Sequence, residues 1–182
     1  MKRDIFLIAA ILTLPIHADA EIYKLAVPSD QGLKLYWWPI LPTISGWQHD
    51  EGASRANSVN ALVPTGQAFS SAPAVIYAKA IYKPRAPQTK SLEQVISNDR
   101  AEFEARVPGV KIEELPLVHD GDGKSIRCLS FNPPGKGNWE IVAYSEEGDY
   151  YLLFTVSART KEALQDARAA FERLVSHYTE RH

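Results

Sequence analysis

Apolar and polar side chains alternate along two neighbouring stretches near the end of the chain, residues 139–145 and residues 150–157. Alternation with a period of two is the pattern of a β-strand that buries one face. A turn of even length at Glu147-Gly148 pairs Ile141 with Phe154 and brings both apolar sets to one face, whereas an odd-length loop separates them. The pattern therefore predicts a β-hairpin closed by a two- or four-residue turn.

Two other stretches repeat their apolar residues at the spacing of an amphipathic helix. The first is predicted to begin after Ser91, which forms a capping-box pattern with Gln94, and to end at residues 108–109, a Pro-Gly pair. The second is predicted to begin after Thr160, a residue type that caps helix N-termini. The apolar stripes are Leu92, Val95, Ile96, Phe103 and Val107 in the first helix, and Ala163, Leu164, Ala167, Phe171, Leu174, Val175 and Tyr178 in the second.

The remaining strand-like stretches are rich in β-branched and aromatic residues and are bounded by turn-forming residues. They are residues 21–28, 32–38, 74–83, 110–118 and 124–131. The first two predict a hairpin, the third an interior strand, and the last two a hairpin across a turn at residues 120–123. Residues 39–64 contain prolines, glycines and many small polar residues, so we expect a long loop there with a short strand near residues 60–63.

The order of these elements predicts the fold class. Consecutive hairpins require antiparallel pairing, and each amphipathic helix needs an apolar sheet face to cover. The side of the closing hairpin that faces away from the last helix is too apolar to be left in water, so we expect the helix of residues 91–107 to cover it. The prediction is an α+β fold, in which a central, mostly antiparallel β-sheet lies between helices in an α/β/α sandwich. We expect one domain, spanning residues 21–182.

Residues 1–20 have the pattern of a secretory signal peptide. Lys2 and Arg3 precede an apolar run over residues 5–16, and Ala18 and Ala20 provide the small residues that signal cleavage requires. The apolar run is well below the ~20 residues needed to cross a bilayer. We therefore expect cleavage to leave a soluble, periplasmic or secreted protein without a transmembrane anchor.

Charge and cysteine content narrow the possible partners and stabilising bonds. The formal net charge of -2 at pH 7 gives no field that attracts nucleic acid or an anionic membrane surface. Because the chain itself is predicted to be exported, the expected partner is another exported or envelope protein. Cys128, the only cysteine, has no second cysteine with which to form an intrachain disulfide, and its strand-like surroundings predict a buried small hydrophobe.

Known motifs for catalysis or metal binding do not fit the sequence. Residues 120–123 begin like a calcium loop, but Lys124 and Phe131 occupy positions where that loop needs oxygen ligands. In the runs His49-Asp50-Glu51 and His119-Asp120, neighbouring side chains point apart on extended backbone, so neither run supplies three convergent ligands. Nucleophile-elbow and phosphate-loop motifs do not occur either. We expect a noncatalytic protein without metal or cofactor, while a site assembled from distant residues stays open.

Three features of the sequence resemble one known superfamily. The chain approaches Pro42 and Gly46-Trp47 from an early strand, opens a helix at Ser91, and closes with the strand and helix YYLLFTVSART…FERLVSHY. This pattern resembles the PsbP superfamily, which includes PsbP-like, DcrB-like and Ran-binding Mog-type proteins. The resemblance covers most of residues 21–178 and implies an antiparallel sheet between helices in a noncatalytic binding, assembly or chaperone-like module. Residues 39–64 are longer and richer in tryptophan than the family pattern.

The aromatic residues in and near the predicted loop of residues 39–64 are the best candidates for a binding surface. Neighbouring strand residues face opposite sides, so Trp37 and Trp38 cannot share one face, and exposed tryptophan commonly anchors partners. The alternative is that one tryptophan packs under each helix. The predicted partner-binding residues are Tyr36, Trp37, Trp38, Trp47, His49 and Asp50.

These observations favour an exported accessory module that binds a protein partner and resembles immunity or chaperone-like proteins in role. The alternative is a protein that binds a small ligand or an envelope polymer. A hydrolase is the least favoured class, since no catalytic motif supports it.

Overall fold

The computed structural model describes residues 22–29 and 32–180 of the chain, without the side chains of residues 27–29. The predicted signal peptide, residues 1–20, lies outside this part. The described elements, in chain order, are β1 (Ile22–Ser29), β2 (Gly32–Pro39), β3 (Trp47–His49), α1 (Glu51–Asn57), β4 (Asn60–Pro64), β5 (Ala74–Tyr82), a 3₁₀ turn (Lys83–Arg85), α2 (Leu92–Arg106), β6 (Lys111–His119), β7 (Ser125–Asn132), β8 (Trp139–Glu147), β9 (Tyr150–Ala158) and α3 (Lys161–His177).

All nine described strands belong to one sheet, and every described pairing is antiparallel. The strands follow the order β1-β2-β5-β9-β8-β7-β6, while β4 pairs with both β3 and β5. β5 therefore lies inside the sheet, as its apolar sequence predicts. The α+β class with a mostly antiparallel sheet is confirmed.

The closing hairpin has the predicted even-length turn. Its position is one residue later than the predicted Glu147-Gly148, because Glu147 pairs with Tyr150 and leaves a two-residue loop at Gly148-Asp149. Gly148 adopts a φ of 49° that glycine accepts without strain. The predicted partner of Ile141 is wrong by two residues, since Ile141 faces Val156. A register shift of two residues keeps every side chain on its predicted face, so the predicted faces are correct although the predicted pairing is not.

Alternate residues of β8 belong to two different clusters of buried side chains. Ile141 and Ala143 pack with the α3 side chains, whereas Val142 and Tyr144 pack with those of α2. α3 begins at the predicted cap, where Thr160 Oγ1 accepts a hydrogen bond from Ala163 N at 3.1 Å. The larger cluster also includes Ile126, Cys128, Leu152, Phe154, Val156, Leu164, Ala167, Ala170, Phe171, Leu174, Val175 and Tyr178.

The cluster beneath α2 contains Val95, Ile96, Phe103, Leu129, Phe131, Val142, Tyr144, Tyr151 and Leu153. Ser91 caps the helix by accepting a hydrogen bond from Gln94 N at 3.2 Å, as the sequence predicts. The Gln94 side chain accepts from Lys90 N at 2.9 Å, one residue before the position that a capping box uses. The α2 side chains therefore pack with residues of β8 that alternate with those packed against α3.

Residues 39–64 are not the long loop that the sequence predicts. They form β3, α1 and β4, of which the strand near residues 60–63 was expected. Ile44 is buried in the α3 cluster, and Leu41 and Trp47 pack against it. We call this segment the β3–α1–β4 excursion. The prolines and glycines of the excursion keep its helix and strands short. These short elements form nevertheless, because packing against the sheet stabilises segments whose local propensity is weak.

Cys128 lies in β7 and is buried in the α3 cluster. Burial raises the pKa of its thiol to about 11, because the thiolate is poorly solvated there. The prediction of a buried small hydrophobe is confirmed.

Within the described residues, no helix combines the length and apolar character needed to cross a membrane.

Candidate functional site

The first hairpin, β1 and β2, stands at one end of the sheet. β1 is an edge strand of the described sheet, and β2 is paired with β5 at a single position, Trp37 opposite Ala80. Three of the large apolar side chains most exposed in the described structure lie on or next to this hairpin: Tyr23 is 55% exposed, Leu33 70% and Ile40 39%. An edge strand with apolar side chains is a natural place for another chain to add.

Hydrogen bonds within the β3–α1–β4 excursion fix its fold beside this hairpin. Asp50 caps α1, its Oδ1 accepting from Ala53 N at 2.9 Å. The buried Ser54 hydroxyl donates to Asp50 O at 2.6 Å and accepts from Ala61 N at 2.9 Å. Its one hydrogen is thus used, so the contact with His49 Nε2 at 3.2 Å makes that nitrogen the donor. These bonds tie α1 to both flanking strands.

A cleft of about 380 Å³ lies between the hairpin and the excursion. We call it the hairpin cleft. Its walls are mostly apolar, and three charged or titratable residues of the excursion stand on its rim. The lining residues are Tyr23, Leu25, Trp38, Ile40, Leu41, His49, Glu51, Arg55, Asn60 and Leu62.

Two buried polar atoms of the cleft residues have no hydrogen-bond partner in the described structure: the indole N–H of Trp38 and the side-chain oxygen of Asn60. The Asn60 amide orientation is set by its Nδ2, which donates to Pro39 O at 2.8 Å. Buried polar groups are nearly always paired, so a donor and an acceptor left over in one cleft call for a common explanation. A group that reached both atoms would need to offer an acceptor to the Trp38 N–H and a donor to the Asn60 oxygen.

The rim of the cleft carries both signs of charge. Arg55 pairs with Glu51 at 2.6 Å on the exposed surface of α1, and this contact lowers the pKa of the Glu51 carboxyl. Exposed pairs of this kind contribute little to stability. The Glu51–Arg55 pair places polar groups at the border of an apolar cleft, and a polar rim around an apolar centre is common at binding surfaces.

The structure separates the six residues predicted to bind a partner. Trp38 and His49 line the hairpin cleft, but Asp50 is used as a helix cap and Trp47 packs against the α3 cluster. Tyr36 and Trp37 line a different hollow. The two tryptophans of β2 therefore serve different surfaces, as strand alternation requires.

Aromatic rings from neighbouring strands stack beside Trp37 in its hollow. The Trp37 ring lies 5.2 Å from Tyr82, which lies 5.1 Å from Tyr150, and the Arg85 guanidinium is 5.6 Å from the indole. Trp37 thus already contacts an aromatic ring and a cation within its own chain, which favours a packing role for Trp37 over partner binding.

Sequence reasoning missed several cleft residues. Tyr23 could have been found, because a tight first hairpin places it directly opposite Trp38. Asn60 and Arg55 gave no signal, because their position depends on how the excursion folds back.

The turn between β6 and β7 has the plain structural role expected of it. Asp120 is buried, and its Oδ1 accepts from Asp122 N at 3.0 Å and Lys124 N at 2.9 Å. The carboxylate that begins the calcium-like sequence is therefore used by backbone donors. In the part of the chain that the structure describes, no three His, Cys, Asp or Glu side chains are placed to hold a metal ion.

No protein-family model matches the chain, and no curated protein sequence matches it significantly.

Proposed function

We propose that this chain is an exported, noncatalytic binding module that engages an extended segment of another exported protein at the hairpin cleft. The observation that carries the proposal is the pair of unsatisfied atoms, Trp38 Nε1 and Asn60 Oδ1, on residues that line one cleft together with the exposed Tyr23 and Ile40.

An extended peptide fits the chemistry of this cleft. Each peptide unit offers one carbonyl acceptor and one N–H donor, the complement of the Trp38 indole and the Asn60 oxygen. Apolar peptide side chains can pack against Tyr23 and Ile40, and the outer edge of β1, which pairs with no other described strand, can add a strand. Both orphan atoms are buried, so the peptide must part the side chains above them as it binds.

The proposal includes an architecture and a location. The α2 and α3 clusters on alternate sheet residues support an α/β/α sandwich of the PsbP-like kind. The signal-like sequence of residues 1–20 supports export to the periplasm or beyond. Fold-level likeness alone does not give function, so the cleft carries the functional proposal.

Replacing Tyr23 and Ile40 together by serine is expected to weaken partner capture at least tenfold, a change worth about 1.4 kcal/mol. The physical reason is that both side chains are exposed and line the cleft, where apolar anchors dominate binding energy. Immobilised chain is incubated with the exported fraction of the source cells, and the captured protein is quantified by mass spectrometry.

The matched control is Leu117→Ser, since Leu117 is an exposed large apolar residue on β6, away from the cleft. Capture by this variant should equal that of the unaltered chain. Leu33→Ser separates the hairpin tip from the cleft, because Leu33 is exposed but does not line it. Equal capture by the Tyr23/Ile40 variant and the Leu117 variant contradicts the proposal.

A further inference from the structure

A second cavity, of about 470 Å³, lies on the side of the sheet that α2 partly covers, and it shares no lining residue with the hairpin cleft. We call it the Glu140 cavity. The central strands β5, β9 and β8 form its floor, and the connection between β4 and β5 forms a wall. Its lining residues are Asn57, Val59, Phe69, Ser70, Ala72, Pro73, Val75, Tyr77, Asn138, Glu140, Ser157, Ala158 and Arg159.

Strand register brings a carboxyl group to this floor. Val75 pairs with Ser157 and Ser157 pairs with Glu140, so the three residues form one row across three strands. Ser157 Oγ donates to Glu140 Oε1 at 2.8 Å and accepts from Asn138 Nδ2 at 3.1 Å. The row orients the carboxyl through a chain of two hydrogen bonds.

Glu140 is only 9% exposed, yet no ion pair joins it to any described residue. The Arg159 guanidinium lines the same cavity but is directed to the carbonyls of Ser70 and Ala72, to which its Nε and Nη2 donate, so it fastens the β4–β5 connection to the end of β9. Buried acids are normally paired with a cation, and a lone one is costly to ionise. In the described structure the Glu140 carboxyl therefore has no cation at ion-pair distance, although Arg159 lines the same cavity.

The surroundings of Glu140 disfavour its ionised form. Burial is the main cause that raises the pKa of Glu140, and Asp99 adds to the rise, while the Ser157 hydrogen bond and the charges of Arg106 and Lys79 oppose it. Burial also raises the pKa of Tyr77, so the Tyr77 hydroxyl keeps its proton. The groups facing Glu140 from β5, β9 and α2 thus leave it poorly stabilised as a carboxylate.

We infer that the Glu140 cavity binds a small primary amine in its protonated form, with the ammonium on the Glu140 carboxylate and an apolar body against Phe69, Val75 and Tyr77. The ammonium supplies the missing charge and three hydrogen-bond donors. The aromatic rings of Phe69 and Tyr77 provide apolar contact and attract a cation. This site is independent of the hairpin cleft.

The affinity of this carboxyl for a cation is expected to fall as the pH is lowered. The ammonium needs the ionised carboxylate, and the free site holds its proton to higher pH than an ordinary glutamate. As pH falls through this raised pKa, protons compete with the amine and the affinity must fall. As pH rises above it, the affinity reaches a plateau.

Benzylamine and benzyl alcohol make a matched probe pair, because they differ in the charged group and share the ring. Isothermal titration calorimetry at about pH 8 should give at least tenfold tighter binding of benzylamine by the unaltered chain. Glu140→Gln should lose that preference at least tenfold, whereas Glu113→Gln, which neutralises an exposed glutamate on β6, should retain it. Equal binding of amine and alcohol, no binding of benzylamine, or full retention of the preference by Glu140→Gln overturns the inference.

A pH series on the unaltered chain decides the matter even if Glu140→Gln does not fold. Benzylamine stays protonated between about pH 4 and about pH 8, so a change in its affinity there reports on the protein. The expected result is weaker binding at the acidic end. A flat affinity across this range overturns the inference, and neither result bears on partner capture at the hairpin cleft.

Discussion

Replacing Phe154 by alanine is expected to lower the free energy of unfolding by about 3–5 kcal/mol. Phe154 lies on β9, is almost fully buried in the α3 cluster, and contacts Tyr178 edge-to-face with ring centroids 4.8 Å apart. The loss has two sources: the transfer free energy of the ring and the cavity left between the sheet and α3. Urea denaturation followed by circular dichroism measures the change.

Leu117→Ala is the control for this prediction. Leu117 is 52% exposed, so its truncation should change the free energy of unfolding by less than about 0.5 kcal/mol. If Phe154→Ala destabilises the protein no more than Leu117→Ala does, the α3 cluster is not the principal core.

Replacing Phe131 by alanine is expected to cost a similar amount, about 3–5 kcal/mol, on the other side of the sheet. Phe131 is fully buried on β7 and stacks on Phe103 of α2 with ring centroids 4.0 Å apart. Its removal should loosen α2 before α3, because the two helices pack on different clusters. Native-state hydrogen exchange, measured helix by helix, separates this local effect from the global loss of stability.

The expected exchange result is a larger loss of protection in α2 than in α3 for Phe131→Ala, and the reverse order for Phe154→Ala. Equal loss of protection in both helices for both variants contradicts a sheet that separates two cores.

The long elements of the fold could be predicted because their signals are local. Period-two alternation gave the closing hairpin, and Ser91 and Thr160 marked the starts of α2 and α3. The alternation also placed Val142 and Tyr144 on the opposite face from Ile141 and Ala143, and the two pairs belong to different clusters. The register of Ile141 did not, because a two-residue shift leaves the alternation unchanged.

The β3–α1–β4 excursion could not be predicted because its elements are too short to show a period. β3 has three residues and α1 has seven, and α1 contains Gly52. Helices of this length are unstable alone. Its order comes instead from tertiary contacts such as the hydrogen bond from Ala61 N to Ser54 Oγ and the burial of Ile44.

This excursion also explains why the candidate site was found only in part. Trp38 and His49 were predicted and do line the hairpin cleft, but Asp50 faces its own helix as a cap. The alternation predicted which face Glu140 occupies. Its enclosure depends on the β4–β5 connection, whose path leaves no pattern in the sequence.

Helix α1 lies between the two candidate sites. Glu51 and Arg55 line the hairpin cleft, while Asn57 at the other end of the helix lines the Glu140 cavity. One short helix, tied to both flanking strands through Ser54, thus positions residues of both sites.

The most direct test of partner binding at the hairpin cleft is photo-crosslinking from position 40. A photoreactive phenylalanine analogue replaces Ile40 in one variant and Leu117 in another, since both side chains are large, apolar and exposed but only Ile40 lines the cleft. After irradiation in the source cells, binding at the cleft predicts a discrete adduct with one exported protein from position 40 and none from position 117. Adducts of equal yield from both positions, or none from position 40, contradict it.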